Sequence, residues 1–329
     1  MSDSPLSMEW TDGTVSVHLG NALDHYRKWK DPTVIVSDGA YGIAGFAGDP
    51  SDHRDLRQWY LPHVKAWSDM ATPQTTLWFW NSEIGWATVH PILEQSGWRY
   101  SGINIWNKGK GHVAGNVNTA TIRKFPVVSE VCAQYVFEPR IGKLTLQEWL
   151  RAEWQRSGLP LEKANEACGV ADAATRKYLC KDSAWYPPSP ETFEKLHTYA
   201  TLYGRADGRP YFSLDGVNPA TGEEWANLRT KFHCPYGTTN VWDRPALRNG
   251  ERIKSGGKTV HPNQKPLDLI IRIIEASSDP GDTVWEPFGG LFTACLAART
   301  IHRHAFGSEI DPAYFDIGIG RLSRIKGVG

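Results

Sequence analysis

The feature that most constrains this fold lies near the end of the chain, where two predicted strands flank a glycine turn and a helix. Residues 282–285 are a short β-branched and aromatic run that predicts a buried strand. Gly289 and Gly290 follow, and residues 293–299 predict a helix whose small residues suit close packing on a sheet. Residues 305–309 predict the next strand, which ends in an acidic residue. This order is typical of a Rossmann-like unit that binds a nucleoside, with the acid accepting hydrogen bonds from ribose hydroxyls.

A polar loop follows another predicted buried strand early in the chain. Residues 33–36 are a β-branched run, and Asp38 and Tyr41 come shortly after it. Loops at the carboxyl ends of strands are where open α/β sheets bind ligands. Taken alone, residues 38–41 are typical of an ordinary turn, and two glycines after a strand are typical of an ordinary loop. The order of these segments along one chain favours a shared site.

The remaining periodicity predicts an open, mostly parallel sheet with helices on both faces. Strands are predicted over residues 77–80, 100–106 and 131–137, and a helix over residues 87–95. Strands that alternate with helices are the pattern of an α/β fold. The glycine-rich polar residues 108–116 follow the second of these strands and predict an exposed loop.

Composition limits the class of protein without deciding its function. The chain has 329 residues, with 36 Lys and Arg against 36 Asp and Glu, so its formal charge is zero. Proteins that bind nucleic acid are often basic, so this balance argues mildly against such a partner unless basic residues cluster in a cleft. We find no signal peptide and no apolar run of roughly 18 residues, and we therefore expect a soluble, cytoplasmic protein with no membrane partner.

The cysteines favour a reducing compartment. Five are present, and no two of them have a close paired spacing. They are Cys132, Cys168, Cys180, Cys234 and Cys295. This scatter argues against a disulfide framework and against a zinc site, and no metal site is predicted.

Four segments match the motifs of one known family in their order along the chain. Residues 34–42 resemble a catalytic Asp-Pro-Pro-Tyr loop, and residues 258–270 contain His-Pro-Asn-Gln-Lys-Pro, the most specific match. Residues 286–290 resemble Asp-Pro-Phe-x-Gly, and residues 309–314 resemble a ribose-binding strand end. The chain therefore resembles the DNA amino-methyltransferases of restriction-modification type, which act on adenine N6 or cytosine N4, in their circularly permuted β-class order.

The resemblance implies a reaction, a fold and a set of residues. It implies a circularly permuted, Rossmann-like methyltransferase fold that uses S-adenosyl-L-methionine to methylate the exocyclic amine of a flipped base in double-stranded DNA. The implied catalytic residues are Asp38, Gly39, Ala40 and Tyr41. The implied cofactor-binding residues are His261, Pro262, Lys265, Glu286, Phe288, Gly289, Gly290, Thr293 and Glu309. The family pattern also allows a homodimer and a cognate restriction endonuclease that acts on the same site.

The chemistry explains why an aspartate and a free carbonyl are wanted. The lone pair of an exocyclic amine is conjugated with its ring, so the nitrogen must become tetrahedral as the methyl group approaches. Asp38 Oδ and the Gly39 carbonyl would each accept a hydrogen bond from one N–H group of the amine, and they would stabilise the positive charge that develops on its nitrogen. Tyr41 is expected to stack on the flipped base, a contact worth about 1 to 3 kcal/mol.

Two departures from the family motifs are present. Gly39 and Ala40 replace both prolines of the catalytic loop, and the usual Gly-Ser-Gly-Thr of the cofactor turn is Gly-Leu-Phe-Thr at residues 290–293. Because proline fixes φ, we expect a less preorganised loop. The backbone carbonyl remains at Gly39, so methyl transfer is still expected. Asp38 favours adenine N6, since the family's cytosine enzymes mostly have serine there, while Ser37 and the altered loop leave cytosine N4 open.

The resemblance leaves the centre of the chain uncovered. We predict a catalytic and cofactor-binding domain over residues 1–140 and 236–329, and a helical target-recognition insert over residues 141–235. The helices predicted in the insert cover residues 147–156, 161–168, 173–179 and 191–196. The second and third have the spacing of a helix-turn-helix, with DNA-binding residues Thr175, Arg176 and Lys177 on the third. A plain helical hairpin has the same spacing.

Three functions remain open from the sequence. The preferred one is a site-specific DNA methyltransferase. The second is a DNA-binding protein with a degenerate catalytic loop, which Gly39 and Ala40 would explain. The third is a methyltransferase that acts on RNA or a small molecule, with the insert serving only as a lid. Residues 108–116 are interpreted either as a loop near DNA or as a loop without a functional role.

Overall fold

A computed structural model describes residues 8–46, 48–112, 118, 120–182, 184–206, 208–255, 257–260 and 263–324. The chain divides into two compact units. The sheet unit is built from the residues up to Phe137 and from Lys231 onward, and the central unit is Glu138–Thr230. The predicted domain boundaries lie a few residues away from these limits, and the role predicted for each part stays a prediction.

The strands are short, and most of them belong to the sheet unit. They are β1 (Glu9–Thr11), β2 (Val15–Leu19), β3 (Val34–Ser37), β4 (Thr76–Asn81), β5 (Trp98–Asn107), β6 (Ser129–Phe137), β7 (Arg140–Ile141), β8 (Leu144–Thr145), β9 (Val241–Asp243), β10 (Lys254–Ser255), β11 (Lys258–Thr259), β12 (Thr283–Glu286) and β13 (His304–Glu309). β7 pairs with β8, and β10 pairs with β11, as separate two-stranded ribbons.

The helices separate the strands in the sheet unit and dominate the central unit. They are α1 (Leu56–Met70), α2 (Glu83–Gln95), α3 (Leu146–Arg156), α4 (Lys163–Cys168), α5 (Pro190–Tyr203), α6 (Gly222–Asn227), α7 (Leu267–Ser277), α8 (Thr293–Thr300) and α9 (Pro312–Arg324). Among the helices in the described ranges, none combines the length and the apolar composition needed to cross a membrane.

The main sheet confirms the predicted mostly parallel architecture. Its strand order is β1, β2, β13, β12, β3, β4, β6, β5, β9. Every neighbouring pair from β2 to β4 is parallel, as is the pair β5 and β9. β6 is antiparallel to both of its neighbours, so β5 runs in the same direction as β4. The carboxyl ends of β3, β12, β13, β5 and β9 therefore lie at one edge of the sheet.

Both faces of this sheet are covered by helices, as predicted. In β3, the buried side chains of Val34 and Val36 belong to a core that includes residues of α7, α8 and α9. The intervening Ile35 belongs to a second core formed with α1 and α2. This alternation is what a strand buried on both faces requires, because successive side chains point to opposite sides.

The central unit has its own hydrophobic core. Two parallel aromatic rings lie at its centre, with Phe193 of α5 and Trp225 of α6 separated by 4.7 Å between centroids. Both side chains are fully buried, and the same core includes residues of α3 and α4. A unit with a separate core of this kind is the usual form of an inserted domain.

The predicted helix-turn-helix is wrong in its second helix. Gly169 ends α4 in the left-handed region, with φ of 68°. The predicted helix over residues 173–179 is only one π-helical turn, Ala174–Tyr178. The Asn165 side chain accepts hydrogen bonds from the N–H groups of Ala174 and Thr175, which fixes this turn against α4. A short π-helical turn departs from the regular second helix of a helix-turn-helix.

Candidate functional site

One cavity lies at the carboxyl edge of the parallel strands. It has a volume of about 270 Å³ and is lined by three loops of the sheet unit. The first loop follows β3 and contributes Asp38 to Tyr41, the second follows β12 and contributes Glu286 to Leu291, and the third follows β13 and contributes Glu309 to Asp311. The structure thus brings the two predicted halves of the site into one cavity, at the edge where open α/β sheets bind ligands.

Asp38 is held by two donors in this cavity. Lys265 Nζ lies 2.7 Å from Asp38 Oδ1 and 2.8 Å from Oδ2, and the Tyr41 hydroxyl donates to Oδ1 at 3.0 Å. The Asp38 side chain is 24% exposed, whereas that of Lys265 is only 3% exposed. Oδ1 therefore accepts from two donors and Oδ2 from one, which leaves room at Oδ2 for a further N–H donor.

Lys265 belongs to a buried chain of alternating charges. Its Nζ lies 3.4 Å from Glu130 Oε2, and Glu130 Oε1 lies 2.6 Å from Lys108 Nζ. Burial alone would lower the pKa of Lys265, but the carboxylates of Asp38 and Glu130 outweigh it and raise that pKa. Burial would raise the pKa of Glu130, but Lys265 and Lys108 outweigh it and lower that pKa. Both shifts favour the charged forms of Lys265 and Glu130.

The carbonyl groups of the catalytic loop have different partners. The Ala40 carbonyl accepts from the Tyr60 hydroxyl at 3.1 Å and from Asn81 Nδ2 at 2.8 Å. The Gly39 carbonyl accepts no hydrogen bond from any residue in the described ranges, and Gly39 lines the cavity. Two neighbouring carbonyls are thus used differently, one to fix the loop and one open toward the cavity.

The structure gives a steric reason for glycine at position 39. A Cβ atom there would lie 2.6 Å from the Phe288 ring and 2.8 Å from the Tyr60 hydroxyl. Neither contact is compatible with a side chain at that position without movement of its neighbours. Any side chain at this position would meet the same atoms.

Asp49 holds the backbone that follows Ala40. Its Oδ1 accepts from the N–H groups of Tyr41 and Gly42 at 3.0 and 2.8 Å. Its Oδ2 accepts from those of Ile43 and Gly45 at 3.3 and 3.1 Å. One carboxylate therefore accepts hydrogen bonds from four backbone N–H groups, and the predicted loss of preorganisation at residues 39 and 40 stays a prediction.

The cofactor turn contains two buried carboxylates. Glu286 accepts the N–H groups of Ala294 and Cys295, so it caps the first turn of α8. Burial raises the pKa of Glu286 to about 7. Glu309 accepts the N–H of Gly290 at 2.6 Å and that of Asp311 at 2.7 Å, so it ties the end of β13 to the glycine turn.

Phe292 occupies a position that a glycine normally takes in such a turn. Its φ is 53°, in the left-handed region that disfavours residues with a Cβ. Its fully buried ring fills the space that side chains would occupy at three glycines. A Cβ would lie 2.3 Å from this ring at Gly289, 3.1 Å at Gly307 and 2.5 Å at Gly318. The unusual residue and the three glycines therefore form one packed group.

An aromatic wall completes the cavity. Phe288 lies 5.1 Å from Trp59 and 4.9 Å from His63 between ring centroids. Desolvation by burial lowers the pKa of His63 to about 4, so this ring is neutral at physiological pH. The apolar wall fits the base of an adenosyl cofactor, and the exposed backbone at Gly289 and Gly290 fits its aliphatic chain. The acceptors at the tip of β13 fit its ribose.

The predicted cofactor residues fall into several environments. Lys265 contacts Asp38 rather than the glycine turn. Thr293 Oγ1 accepts from Arg321 Nη1 at 2.8 Å, so its hydroxyl is already engaged. His261 and Pro262 lie outside the described residues. Glu286, Phe288, Gly289, Gly290 and Glu309 all line the cavity.

The predicted DNA-binding residues belong to the other unit. Thr175 is engaged by its neighbours, since its hydroxyl donates to the Asp172 carbonyl at 2.9 Å. Arg176 lies 3.4 Å from the Asp172 carboxylate, and the Lys177 side chain is exposed. Their role in DNA binding stays a prediction.

Several residues of the site were missed by the sequence interpretation. They are Asp49, Tyr60, Asn81, Lys108 and Glu130. Asp49 precedes a proline, which is a turn signal, but the remaining four carry no local signal because each acts on a distant segment. Among the described residues, no group of three or more His, Cys, Asp or Glu has the geometry of a metal site.

Comparisons with known sequences agree with the geometry. A family model described as DNA methylase matches residues 161–319. The chain is 37% identical over 153 residues to the type II methyltransferase M.ScaI of Streptomyces caespitosus, a match that covers 44% of this chain and 50% of M.ScaI. The chain is therefore similar to DNA methylases over less than half of its length. A second such relative, the DNA adenine methyltransferase YhdJ of Escherichia coli K12, is 43% identical over 83 residues, or 25% of this chain and 27% of YhdJ. The chain thus spans half or less of the length of these methylases.

Solved structures share the fold over most of this chain. The PvuII DNA methyltransferase, described as cytosine-N4-specific, has a TM-score of 0.57 at 12% identity and covers 96% of this chain and 90% of its own. The M1.HpyAVI–SAM complex has a TM-score of 0.50 at 14% identity and covers 94% and 98%. The predicted cofactor, S-adenosylmethionine, is the ligand of that complex. At these identities the likeness confirms the Rossmann-like methyltransferase fold.

Proposed function

We propose that this protein is an S-adenosylmethionine-dependent DNA methyltransferase that methylates the exocyclic amine of a flipped base, with adenine N6 as its preferred target. One observation carries the proposal. Two acceptors with room for a donor, Asp38 Oδ2 and the Gly39 carbonyl, line the same cavity as the glycine turn and Glu309. An amine held by both acceptors would be directed toward the part of the cavity that suits a cofactor.

Asp38 and Gly39 act on the amino group in this proposal. One N–H of the amine donates to Asp38 Oδ2, and the other donates to the Gly39 carbonyl oxygen. These two directions favour a tetrahedral nitrogen, and the negative carboxylate stabilises the positive charge that develops there. Ala40 supports the geometry, because its carbonyl is fixed by Tyr60 and Asn81.

Lys265 orients Asp38. Its ammonium group bridges both carboxylate oxygens, which limits rotation of the carboxylate and keeps Oδ2 toward the cavity. A lone cation next to the amine would oppose the growing positive charge. Glu130 Oε2 lies 3.4 Å from Lys265 Nζ and offsets the positive charge of the lysine. Lys265 therefore does not disfavour the positive charge that develops on the amine.

The turn after β12 and the end of β13 are proposed to hold the cofactor. S-adenosylmethionine, when bound, supplies the electrophilic methyl group. Gly289 and Gly290 bring backbone close to it, and Phe288 provides an apolar wall. Glu309 accepts from two backbone N–H groups, and its remaining lone pairs are available to ribose hydroxyls.

Adenine N6 is preferred over cytosine N4 for two reasons. The first catalytic residue is Asp38, which the resemblance associates with adenine enzymes. The relative YhdJ, described as a DNA adenine methyltransferase, is 43% identical over the matched 83 residues. The PvuII enzyme supports only the fold at its 12% identity, so it does not favour cytosine N4.

The partners are also proposals. Double-stranded DNA is the proposed substrate, and the central unit is proposed to recognise the target sequence. M.ScaI is described as a type II methyltransferase, which supports a cognate restriction endonuclease for this protein. A homodimer remains compatible with the family pattern.

The test is a transfer assay with labelled cofactor. Purified protein is incubated with unmethylated genomic DNA and methyl-labelled S-adenosylmethionine, and the DNA is digested to nucleosides. We expect label in N6-methyladenine, lost in Asp38→Ala and kept in Asp69→Ala. Asp69 is a matched control, because it is an exposed aspartate near the end of α1.

Each other outcome leads to a different function. Label in N4-methylcytosine would show that the target is cytosine N4 and that the proposed type of methyl transfer is correct. Transfer to RNA alone would favour an RNA methyltransferase. DNA binding without transfer, by a folded protein that binds cofactor, would refute the enzyme and favour a DNA-binding protein with a degenerate loop.

A further inference from the structure

Positive charge is concentrated in two segments of the sheet unit. Residues 108–128 and 244–260 contain nine of the 36 Lys and Arg residues and one of the 36 Asp and Glu residues. The other residues of the chain therefore carry 27 basic and 35 acidic side chains. A formally neutral protein thus has a strongly basic region and an acidic remainder.

Both segments begin at the sheet edge that carries the candidate site. Residues 108–128 follow β5, and residues 244–260 follow β9. β5 and β9 are parallel to each other, and β5 runs in the same direction as β4 and β3. The carboxyl ends of these strands, and the start of both segments, therefore share an edge with the loop that contains Asp38.

Specific contacts connect these segments with each other and with the site. Arg248 lies against Gly111, where a Cβ atom would be 2.7 Å from Arg248 Nη2. The first segment begins at Lys108, which binds Glu130. The second leads to Gln264, which lines the cavity and accepts the N–H of Ile253. These contacts place the start of the first segment against the second segment, and the end of the second segment at the cavity.

Six exposed basic side chains on these segments form what we call the basic rim. They are Lys110, Arg123, Lys124, Arg248, Lys254 and Lys258. None of the six forms an ion pair with an acidic residue in the described part of the chain. Phe125 lies within the rim and is 93% exposed. Exposed aromatic residues among unpaired cations are typical of surfaces that bind nucleic acid.

The central unit differs in its charges. Residues 138–230 contain 12 Lys and Arg against 13 Asp and Glu. Several of its basic residues form ion pairs within one helix or turn, including Lys163 with Glu166, Arg176 with Asp172 and Lys195 with Glu191. This unit has little net charge with which to attract a polyanion.

We infer that the basic rim binds the phosphates of duplex DNA around the flipped base, so that the sheet unit supplies most of the sequence-independent affinity. The inference rests on the proposed function. Lys and Arg side chains bind DNA phosphates regardless of sequence, and each such contact releases counterions. The position of the rim beside the cavity places these contacts near the base that enters the site.

The experiment compares salt dependence in two variants with the same change in charge. The rim variant is Lys124→Ala, Arg248→Ala and Lys258→Ala, and the control variant is Lys143→Ala, Lys181→Ala and Lys195→Ala, three exposed lysines of the central unit. Binding of the intact protein to a fluorescent DNA duplex is measured as anisotropy at several salt concentrations. Binding of S-adenosylmethionine and circular dichroism verify that each variant is folded.

The rim variant is expected to change the salt dependence. The slope of log affinity against log salt should fall by about 2 to 3, since each phosphate contact contributes about 0.9. Affinity near 0.1 M salt should fall at least tenfold. The control variant should change the slope by less than about 1, even where it alters sequence preference.

Two results separate failure of this inference from failure of the proposed function. If the unmodified protein binds and methylates DNA but the rim variant keeps its slope while the control variant loses it, the inference is overturned and the function stands. If the unmodified protein binds cofactor but no duplex DNA, or binds single-stranded RNA in preference, the proposed function fails and the inference fails with it.

Discussion

The catalytic loop and the cofactor turn both depart from the motifs that they resemble, and they are stabilised in different ways. The catalytic loop has no prolines, and its backbone donates hydrogen bonds to Asp49 and accepts them from Tyr60 and Asn81. The cofactor turn has Phe292 where a glycine is usual, and tight packing against neighbouring glycines holds it. Directional polar contacts fix one segment, and a buried ring fixes the other.

The difference affects what each segment can do. A hydrogen bond contributes about 0.5 to 1.5 kcal/mol net, so a loop held by several of them can exchange partners when a base arrives. A buried phenylalanine contributes more and tolerates little movement, because protein interiors are closely packed. The loop proposed to contact the substrate is therefore the adjustable segment, and the turn proposed to hold the cofactor is the fixed one.

Removal of the Phe292 ring should have the largest effect. Phe292→Ala should lower the free energy of unfolding by about 3 to 5 kcal/mol, because it leaves a cavity among the glycines. Urea denaturation measures this loss. A second substitution tests whether the Phe292 ring packs against Gly318. Gly318→Ala should destabilise the unmodified protein but cost little in the Phe292→Ala background, where the ring at 2.5 Å is gone. Equal costs in both backgrounds would contradict this packing.

The pKa of Glu286 should make the stability of the turn depend on pH. Burial raises this pKa from 4.5 to about 7, so the folded protein holds a proton that the unfolded chain has lost. The contribution of Glu286 to the free energy of unfolding is therefore fully favourable below about pH 4.5. It is lost as the pH rises through 7, and the loss is on the order of 2 to 3 kcal/mol. Glu286→Gln should remove this part of the fall in the free energy of unfolding between pH 5 and 8. Glu275→Gln, an exposed change on α7, should leave the decline as it is.

Loss of Asp49 should release the catalytic loop. Asp49→Ala leaves four backbone N–H groups without their acceptor and should lower kcat/KM for methyl transfer about 10- to 100-fold, at 1.36 kcal/mol per tenfold. Asp49→Asn keeps one acceptor oxygen and should lose less. Hydrogen exchange of residues 41–45 gives a readout that does not depend on activity. Unchanged protection of these amides in Asp49→Ala would show that the carboxylate does not hold the loop.

Tyr60→Phe should have the smallest effect. The Ala40 carbonyl keeps its bond from Asn81, so the loss should be about 0.5 to 1.5 kcal/mol and the fall in activity about tenfold or less. Asn81→Ala combined with Tyr60→Phe leaves this carbonyl without either donor. The double variant should lose more than the two single losses together, and a simple sum would show that the two donors act independently.

Local patterns were sufficient to predict most of the fold. Residues that favour strands predominate in β3 and β12, and the glycines between β12 and α8 indicate a turn from the local sequence alone. The carboxyl edge followed from the parallel order, so Asp38 and the glycine turn were predicted to lie together. The π-helical turn at Ala174–Tyr178 was not, because the Asn165 side chain that organises it lies about ten residues away.

The supporting contacts of the site could not be predicted from local patterns. Lys265 is separated from Asp38 by 227 positions, and nothing in either segment indicates that their side chains meet. The same holds for Tyr60 and Ala40, which are 20 positions apart. The contacts of Asp49 with the catalytic loop could not be predicted either, since they depend on a turn that brings its carboxylate back under four amides.

The packed group around Phe292 restricts the order in which substitutions can accumulate during evolution. A change to glycine at position 292 relieves the backbone but leaves a void, and a larger residue at Gly318 is acceptable only after the ring has gone. Either change made first therefore passes through a less stable protein. A lineage that has acquired this phenylalanine is held to it by epistasis.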